Sequence, residues 1–217
     1  PEERYDVILT NPPFGGKENK QIQQNFPVQS QATELLFLQL IVKHLKPGGR
    51  CAMVVPEGVL FRGDAFAQVK RDLLQSCNLH AVVSLPGGVF QPYSGVKTNL
   101  LFFQRGQPTG DVWYYEVQPP PGKRYTKGNP IKDADLDDAR ALWAERPTTA
   151  RSWTVPAAQI VARGYDLTAK NPNRTNGDDR HRSPDELVAS ALDKERQIAA
   201  LLEEMQALLI GDGNGDR

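Results

Sequence analysis

The chain has 217 residues, 39% hydrophobic and 24% charged, an ordinary globular balance with room for one large domain or one and a half small ones. Lysine plus arginine equals aspartate plus glutamate at 26 each, so no long-range positive field steers nucleic acid toward it, and such a ligand needs a local patch or a partner to grip it. No apolar run approaches the ~20 residues of a membrane-spanning helix, and Cys51 and Cys77 lack metal-ligand spacing and suit a reducing cytoplasm, so neither a membrane partner nor a metal is expected.

The first predicted element is a strand over 6–10, whose run Val7, Ile8, Leu9 is expected to be buried. It ends at Asn11-Pro12-Pro13-Phe14-Gly15-Gly16. The stretch 15–31 is rich in Gln and Asn with few apolar anchors, and reads as a mobile surface loop. A helix follows over 32–45, with Leu35, Leu38, Val42 and Leu45 in one stripe and Pro47-Gly48-Gly49 as its stop. Residues 50–55 read as an internal strand, 65–76 as a helix with Phe66, Val69, Leu73 and Leu74 inward, and 79–85 and 98–104 as further strands. This alternation predicts an α/β fold with a mostly parallel sheet. The link 85–98 carries no helical pattern, so one strand, the last of these, is expected to run antiparallel.

Beyond 105 the pattern weakens. Residues 112–117 read as a strand, broken by Pro119-Pro120-Pro121-Gly122, and 135–145 as a short helix burying Leu136, Leu142 and Trp143. Residues 159–167 close the globular part, and the polar stretch 171–182 reads as a linker. Ser183-Pro184-Asp185-Glu186 then combines an N-cap serine, a proline at the first helical position and a glutamate three after the cap. Leu187, Ala191, Lys194, Ile198, Leu201, Met205 and Leu208 follow at alternating steps of four and three, the seam of an amphipathic, coiled-coil-like helix that Gly211 ends.

The chemistry concentrates in the Asn-Pro-Pro-Phe elbow. The amide oxygen of Asn11 and the carbonyl of Pro12 are hydrogen-bond acceptors, and two prolines fix φ so that these groups are held without slack. An exocyclic NH2 on a nucleobase offers two donors to match, and Phe14 can stack on a base taken out of its duplex. Lys97 is either a phosphate contact or a solvated loop lysine. Glu57 and Arg62, just past a strand's C-terminal edge, read as ion-pair residues, and His44 and His181 have no clustered partners.

Apolar strand, Asn11-Pro12-Pro13-Phe14 and Gly15-Gly16 together resemble the amino-group-directed adenine DNA methyltransferases, and most of all the modification subunit of type I restriction-modification systems. Val54-Val55-Pro56-Glu57-Gly58-Val59-Leu60-Phe61, Val83-Ser84-Leu85-Pro86-Gly87-Gly88-Val89-Phe90 and Gly95-Val96-Lys97-Thr98-Asn99-Leu100-Leu101-Phe102-Phe103 carry the closer similarity, with a weaker echo at Gly164-Tyr165-Asp166-Leu167. The resemblance implies the C-terminal part of a Rossmann-like methyltransferase sheet that uses S-adenosyl-L-methionine. It implies that Asn11, Pro12 and Phe14 are catalytic, that Pro13 shapes the turn, and that Phe90 or Tyr93 supplies a second aromatic against the base. The partners it implies are DNA and the specificity and restriction subunits. No Gly-rich cofactor turn precedes Asn11, so the main cofactor site is expected upstream of Pro1, in a missing N-terminal part, and the chain alone is expected to be inactive. The expected organisation is 1–105 for the C-terminal half of the catalytic domain, 106–168 for an extension packed on it, 169–182 for a linker and 183–217 for an assembly helix. A glutamine methyltransferase acting on protein, which shares Asn-Pro-Pro, and a non-catalytic module binding the specificity subunit are the alternatives.

Overall fold

Apolar runs separated by helical stretches become one six-stranded sheet in the computed structural model, which describes residues 3–173 and, further on, Val188, Leu192, Glu195, Arg196, Ile198, Ala199 and Leu202. The chain divides into two units, 1–174 and 175–217. In the second unit the described residues are helical, Ile198 among them; Ser183 and the other expected seam positions lie outside the described residues.

In the first unit the strands are β1 (Tyr5–Thr10), β2 (Leu45–Pro56), β3 (Cys77–Leu85), β4 (Thr98–Arg105), β5 (Asp111–Glu116) and β6 (Ser152–Pro156). They lie in the order β1-β2-β4-β3-β5-β6. β1 pairs with β2, and β3 with β5, in parallel. β4 runs antiparallel to both neighbours, as the helix-free link 85–98 requires. Where one reversed strand was expected there are two, because β6 returns antiparallel on β5. The segment 106–168 therefore extends the sheet itself rather than resting on a finished domain.

Six helices connect or flank these strands: α1 (Lys20–Gln23), α2 (Thr33–His44), α3 (Glu57–Phe61), α4 (Ala65–Ser76), α5 (Asp137–Leu142) and α6 (Ala157–Ala162). The expected stop at Pro47-Gly48-Gly49 sits inside β2 as an irregularity: Tyr5 faces Leu45, yet Val7 faces Arg50. The loop 15–31 is better anchored than its composition suggested. Lys17 bridges to Ala32, the Glu18 N–H donates to the Gln31 carbonyl at 2.9 Å, and Asn19 caps α1 by accepting from the Ile22 N–H at 3.0 Å. The start of the expected linker is also tied down, since Asn171 Nδ2 donates to the Ala150 carbonyl and Asn173 Nδ2 to that of Thr149, both at 2.8 Å.

One face of the sheet is closed. Leu35, Leu38 and Ile41 of α2 and Phe66, Val69 and Leu73 of α4 pack with Met53, Val55, Leu101 and Phe103 of the strands. The other face is covered at one end, where Ala139, with Leu136, Leu142 and Trp143 half-buried rather than buried, lies against Val83, Trp113 and Tyr115. Toward β1 it is open. Val7 and Leu9, expected to be buried, are 50% and 76% exposed, and a cavity of about 380 Å³ runs past them to Ala52, His80, Phe102 and Trp143.

Inside the closed core sits a charge that the apolar pattern of α4 does not announce. Lys70 is fully buried, and its Nζ donates to the Leu60 carbonyl at 2.5 Å and the Arg62 carbonyl at 3.0 Å, pinning the C-terminal end of α3. Arg62 itself stacks over Phe66 at 4.0 Å, a cation–π contact in place of the expected ion pair.

Two expectations follow. An apolar strand at a sheet edge recruits other strands, so the chain by itself should self-associate through β1; light scattering should show dimers or larger species, and Val7→Lys with Leu9→Lys should return it to monomer. Burial also lowers Lys70 to about 8 from an ordinary 10.5, with the Asp166 carboxylate opposing the shift. Between those two values the unfolded chain holds a proton that the folded chain has released, so this group makes stability rise with pH across that window. The buried thiol of Cys51, pushed up to about 12, works the opposite way above 9.0. Urea melts of wild type and Lys70→Met at neutral and alkaline pH isolate the lysine: wild type should gain on the variant as pH rises from 8 toward 10.5, and parallel profiles would refute this.

Candidate active site

Thr10, opposite Met53, is the last paired residue of β1, and the elbow begins at once. Pro12 is buried, Phe14 half-buried, and Asn11 and Pro13 are exposed. The following glycines are structural necessities. Gly15 sits at φ +69°, and a Cβ on Gly16 would lie 2.3 Å from Thr33 Oγ1. The Thr33 N–H donates to the Gly16 carbonyl at 3.2 Å, so the elbow rests directly on the first turn of α2.

The opposing wall comes from the loop between β3 and β4, far away in sequence. Gly88, at φ +89°, passes so close to the Tyr125 backbone that a Cβ would meet its carbonyl oxygen at 2.1 Å. The chain then turns, with the Ser94 N–H donating to the Phe90 carbonyl at 2.9 Å. Glu57 ties down the loop's end. Its N–H donates to the Lys97 carbonyl at 2.9 Å, its Oε2 accepts from Asn99 Nδ2 at 2.6 Å, and its Oε1 lies 3.3 Å from Lys97 Nζ.

Between the two walls lies a cavity of about 610 Å³. Asn11, Pro12, Pro13, Phe14, Phe90 and Tyr93 all line it, so six of the seven residues singled out in the sequence converge. The seventh, Lys97, does not line it and instead pairs with Glu57 at the loop's base. Phe14 and Phe90 meet edge to face, centroids 5.8 Å apart and planes at 81°. Tyr93 is 94% exposed, a ring with little to pack on.

Other residues reach the cavity that carry no local signal marking them for it. Pro56, Gly58, Ser94 and Val96 contribute surface, and Glu34, in the first turn of α2, contributes a carboxylate. An acidic residue at a helix start is an ordinary dipole-compensating choice, so Glu34 is conspicuous only once its surroundings are known. No lysine, arginine or histidine is among the described lining residues, which include neutral polar groups (the Asn11 amide and the Ser94 hydroxyl), aromatic rings, aliphatic surface and one carboxylate. Such a wall favours ligands rich in donors or carrying positive charge. Among the described residues no group of His, Cys, Asp and Glu could hold a metal ion, and no helix is long and apolar enough to cross a membrane.

The chain belongs to the N-6 DNA methylase family, whose model matches residues 1–180. It is 41% identical to the EcoEI type I restriction enzyme methylase subunit of Escherichia coli, over 96% of this chain and 44% of that protein. A solved chain from work on complex assembly and conformational transition of the type I R-M system is 56% identical with a TM-score of 0.77, covering 96% of this chain and 46% of that one. The crystal structure of the EcoKI M protein aligns at 28% identity and a TM-score of 0.66, over 95% of this chain and 50% of that one. The chain thus spans about half the length of the relatives it matches or less.

Gly88 offers a test of how the second wall is held. Gly88→Ala combines a left-handed φ with a backbone clash, so it should destabilise the fold by at least ~1–2 kcal/mol and displace Phe90 from Phe14. Thermal unfolding with no loss, and unchanged quenching of a fluorescent base analogue in the cavity, would show that the loop is positioned by other contacts.

Proposed function

We propose that this chain forms the target-base side of an adenine methyltransferase site, acting within the modification subunit of a type I restriction-modification complex. The reaction is transfer of a methyl group from S-adenosyl-L-methionine to the exocyclic amine of adenine in DNA. One observation carries the reading: the Asn-Pro-Pro-Phe elbow and the Phe90 loop, separated in sequence, line one cavity with their aromatic rings in contact. Family membership and the type I relatives support it.

The roles follow from the geometry. Asn11 and Pro12 present neutral oxygens that accept from the amine, biasing its nitrogen toward tetrahedral geometry and freeing its lone pair. Phe14 offers a ring face to the base. Because Phe90 stands perpendicular to Phe14, it meets the base edge rather than closing a sandwich, and Tyr93 is the ring left free to cover it. Pro13 fixes the turn. Lys97 is in a partly exposed ion pair, 3.3 Å from Glu57, and exchanging such a pair for a DNA phosphate costs little.

The methyl donor, when bound, supplies a cationic sulfonium, and a wall of carbonyl oxygens and aromatic faces without basic side chains suits it. The residues that would read its adenosine are assigned to the remainder of the longer protein. The segment 183–217 is the proposed assembly element for the specificity and restriction subunits. The setting is the cytoplasm.

In the longer protein assembled with its partner subunits, Asn11→Ala should lower methyl transfer by ~10²-fold or more while leaving cofactor affinity intact. Phe14→Ala should weaken retention of the extruded base by ~1–3 kcal/mol. Radiolabel from the cofactor appearing on protein glutamine instead of DNA adenine would favour a protein-directed enzyme. Absence of any cofactor heat in calorimetry of the longer protein would favour a non-catalytic module.

A further inference from the structure

Methylating an amine leaves a proton to be disposed of, and the elbow cannot take it. The Asn11 amide and the Pro12 carbonyl accept hydrogen bonds but are far too weakly basic to hold a proton near neutrality. Among the described residues lining the cavity, Glu34 is the one carboxylate. It is 6% exposed, and its Oε2 is buried without a hydrogen-bond partner among the described residues. Its place in the first turn of α2 offsets part of the cost of a buried negative charge, but a carboxylate without a donor is costly to fold around. A donor on a ligand entering the cavity would satisfy it.

We infer that Glu34 is a further substrate-contacting residue of this site, the group that accepts the amine proton released on methylation. The inference rests on the functional reading above. In the step, the amine nitrogen forms a bond to the methyl carbon as the carbon–sulfur bond of the sulfonium breaks, and that electron pair stays on sulfur as a neutral thioether. As that bond forms, the nitrogen passes one proton to the Glu34 carboxylate, so that it emerges as a neutral methylamine. Asn11 and Pro12 orient the amine, and Glu34 restores charge balance in the cavity.

Of the charged groups on neighbouring segments, Glu18 Oε1 accepts from Thr33 Oγ1 at 3.3 Å and Glu57 pairs with Lys97, while the bridge joining Lys17 to Ala32 is a backbone one. Tyr93, from the opposing loop, is the other titratable side chain lining the cavity, and it is almost wholly exposed.

The test uses the longer protein with its partner subunits, S-adenosyl-L-methionine and duplex DNA, comparing wild type, Glu34→Gln and Asn11→Ala. Glu34→Gln should slow single-turnover methyl transfer on the order of 10²-fold. Removing an uncompensated buried charge should leave the melting temperature equal or higher, the opposite of what a structural carboxylate would give. Wild-type rate in Glu34→Gln would overturn the assignment, as would a parallel loss of rate and melting temperature. If wild type transfers no methyl to DNA, or Asn11→Ala is as fast as wild type, the functional reading itself fails and the proton-acceptor role fails with it.

Discussion

The reversal of β4 is the constraint on which the site depends. β4 inserts between β2 and β3 and hydrogen-bonds to both, from Pro56 opposite Thr98 on one side to Leu85 opposite Thr98 on the other. Thr98 is thus the common partner of two strand ends, and the loop leading into it must pass over the same edge from which the Asn11 elbow projects. A parallel strand there would need a crossover helix and would deliver its loop to the opposite edge. The Glu57 clamp completes the arrangement, joining the start of α3 to Lys97 and Asn99 where the loop ends. Phe90 reaches Phe14 because strand direction and one carboxylate leave the loop no other course.

A division of labour runs through the charged groups. Lys70 and Glu57 are structural, each satisfying or joining the ends of elements that border the site. The cavity wall is otherwise made of neutral acceptors and rings. With no net charge and no basic lining, the chain is poorly suited to hold a polyanion by field alone. Its chemistry lies in short-range geometry.

Much of this was legible in the sequence because its signals are local. The apolar periodicities of α2 and α4 fixed both helices to within a residue, and the helix-free link announced the reversed β4. The elbow could be named from its own short run of turn residues, and the Phe90 loop from the resemblance its motif carries. What escaped depends on packing between distant segments. β6 is a five-residue strand with no period of its own, made a strand by pairing with β5. Lys70 occupies a position that α4's pattern marks only as polar, and its burial follows from α3 ending directly above it. Glu34 looks like an ordinary first-turn acid until the cavity is drawn around it. Lys97 read more readily as a solvated loop lysine than as a phosphate contact, because its pairing with Glu57 spans 40 residues.

The two faces of the sheet bear on how well Asn11 can be positioned. The amide proposed to hold the reacting amine must be placed to a fraction of an ångström, yet Asn11 hangs from β1, which is paired on one flank only among the described residues. The same strand exposes Val7 and Leu9 on the open face, where Phe102 and Trp143 leave a cavity rather than a packed layer. Edge strands with apolar side chains fray and recruit partners for one physical reason, their unpaired backbone groups beside unburied carbon. Whatever pairs the free flank of β1 therefore satisfies its backbone groups and stiffens the elbow, while burial of Val7 and Leu9 needs cover on the open face. The target-base wall, by contrast, is closed by contacts internal to the chain: the Gly16–Thr33 packing, the Gly88–Tyr125 approach and the Glu57 clamp. Half of the site's precision is built in, and the other half is set by the flank of one strand.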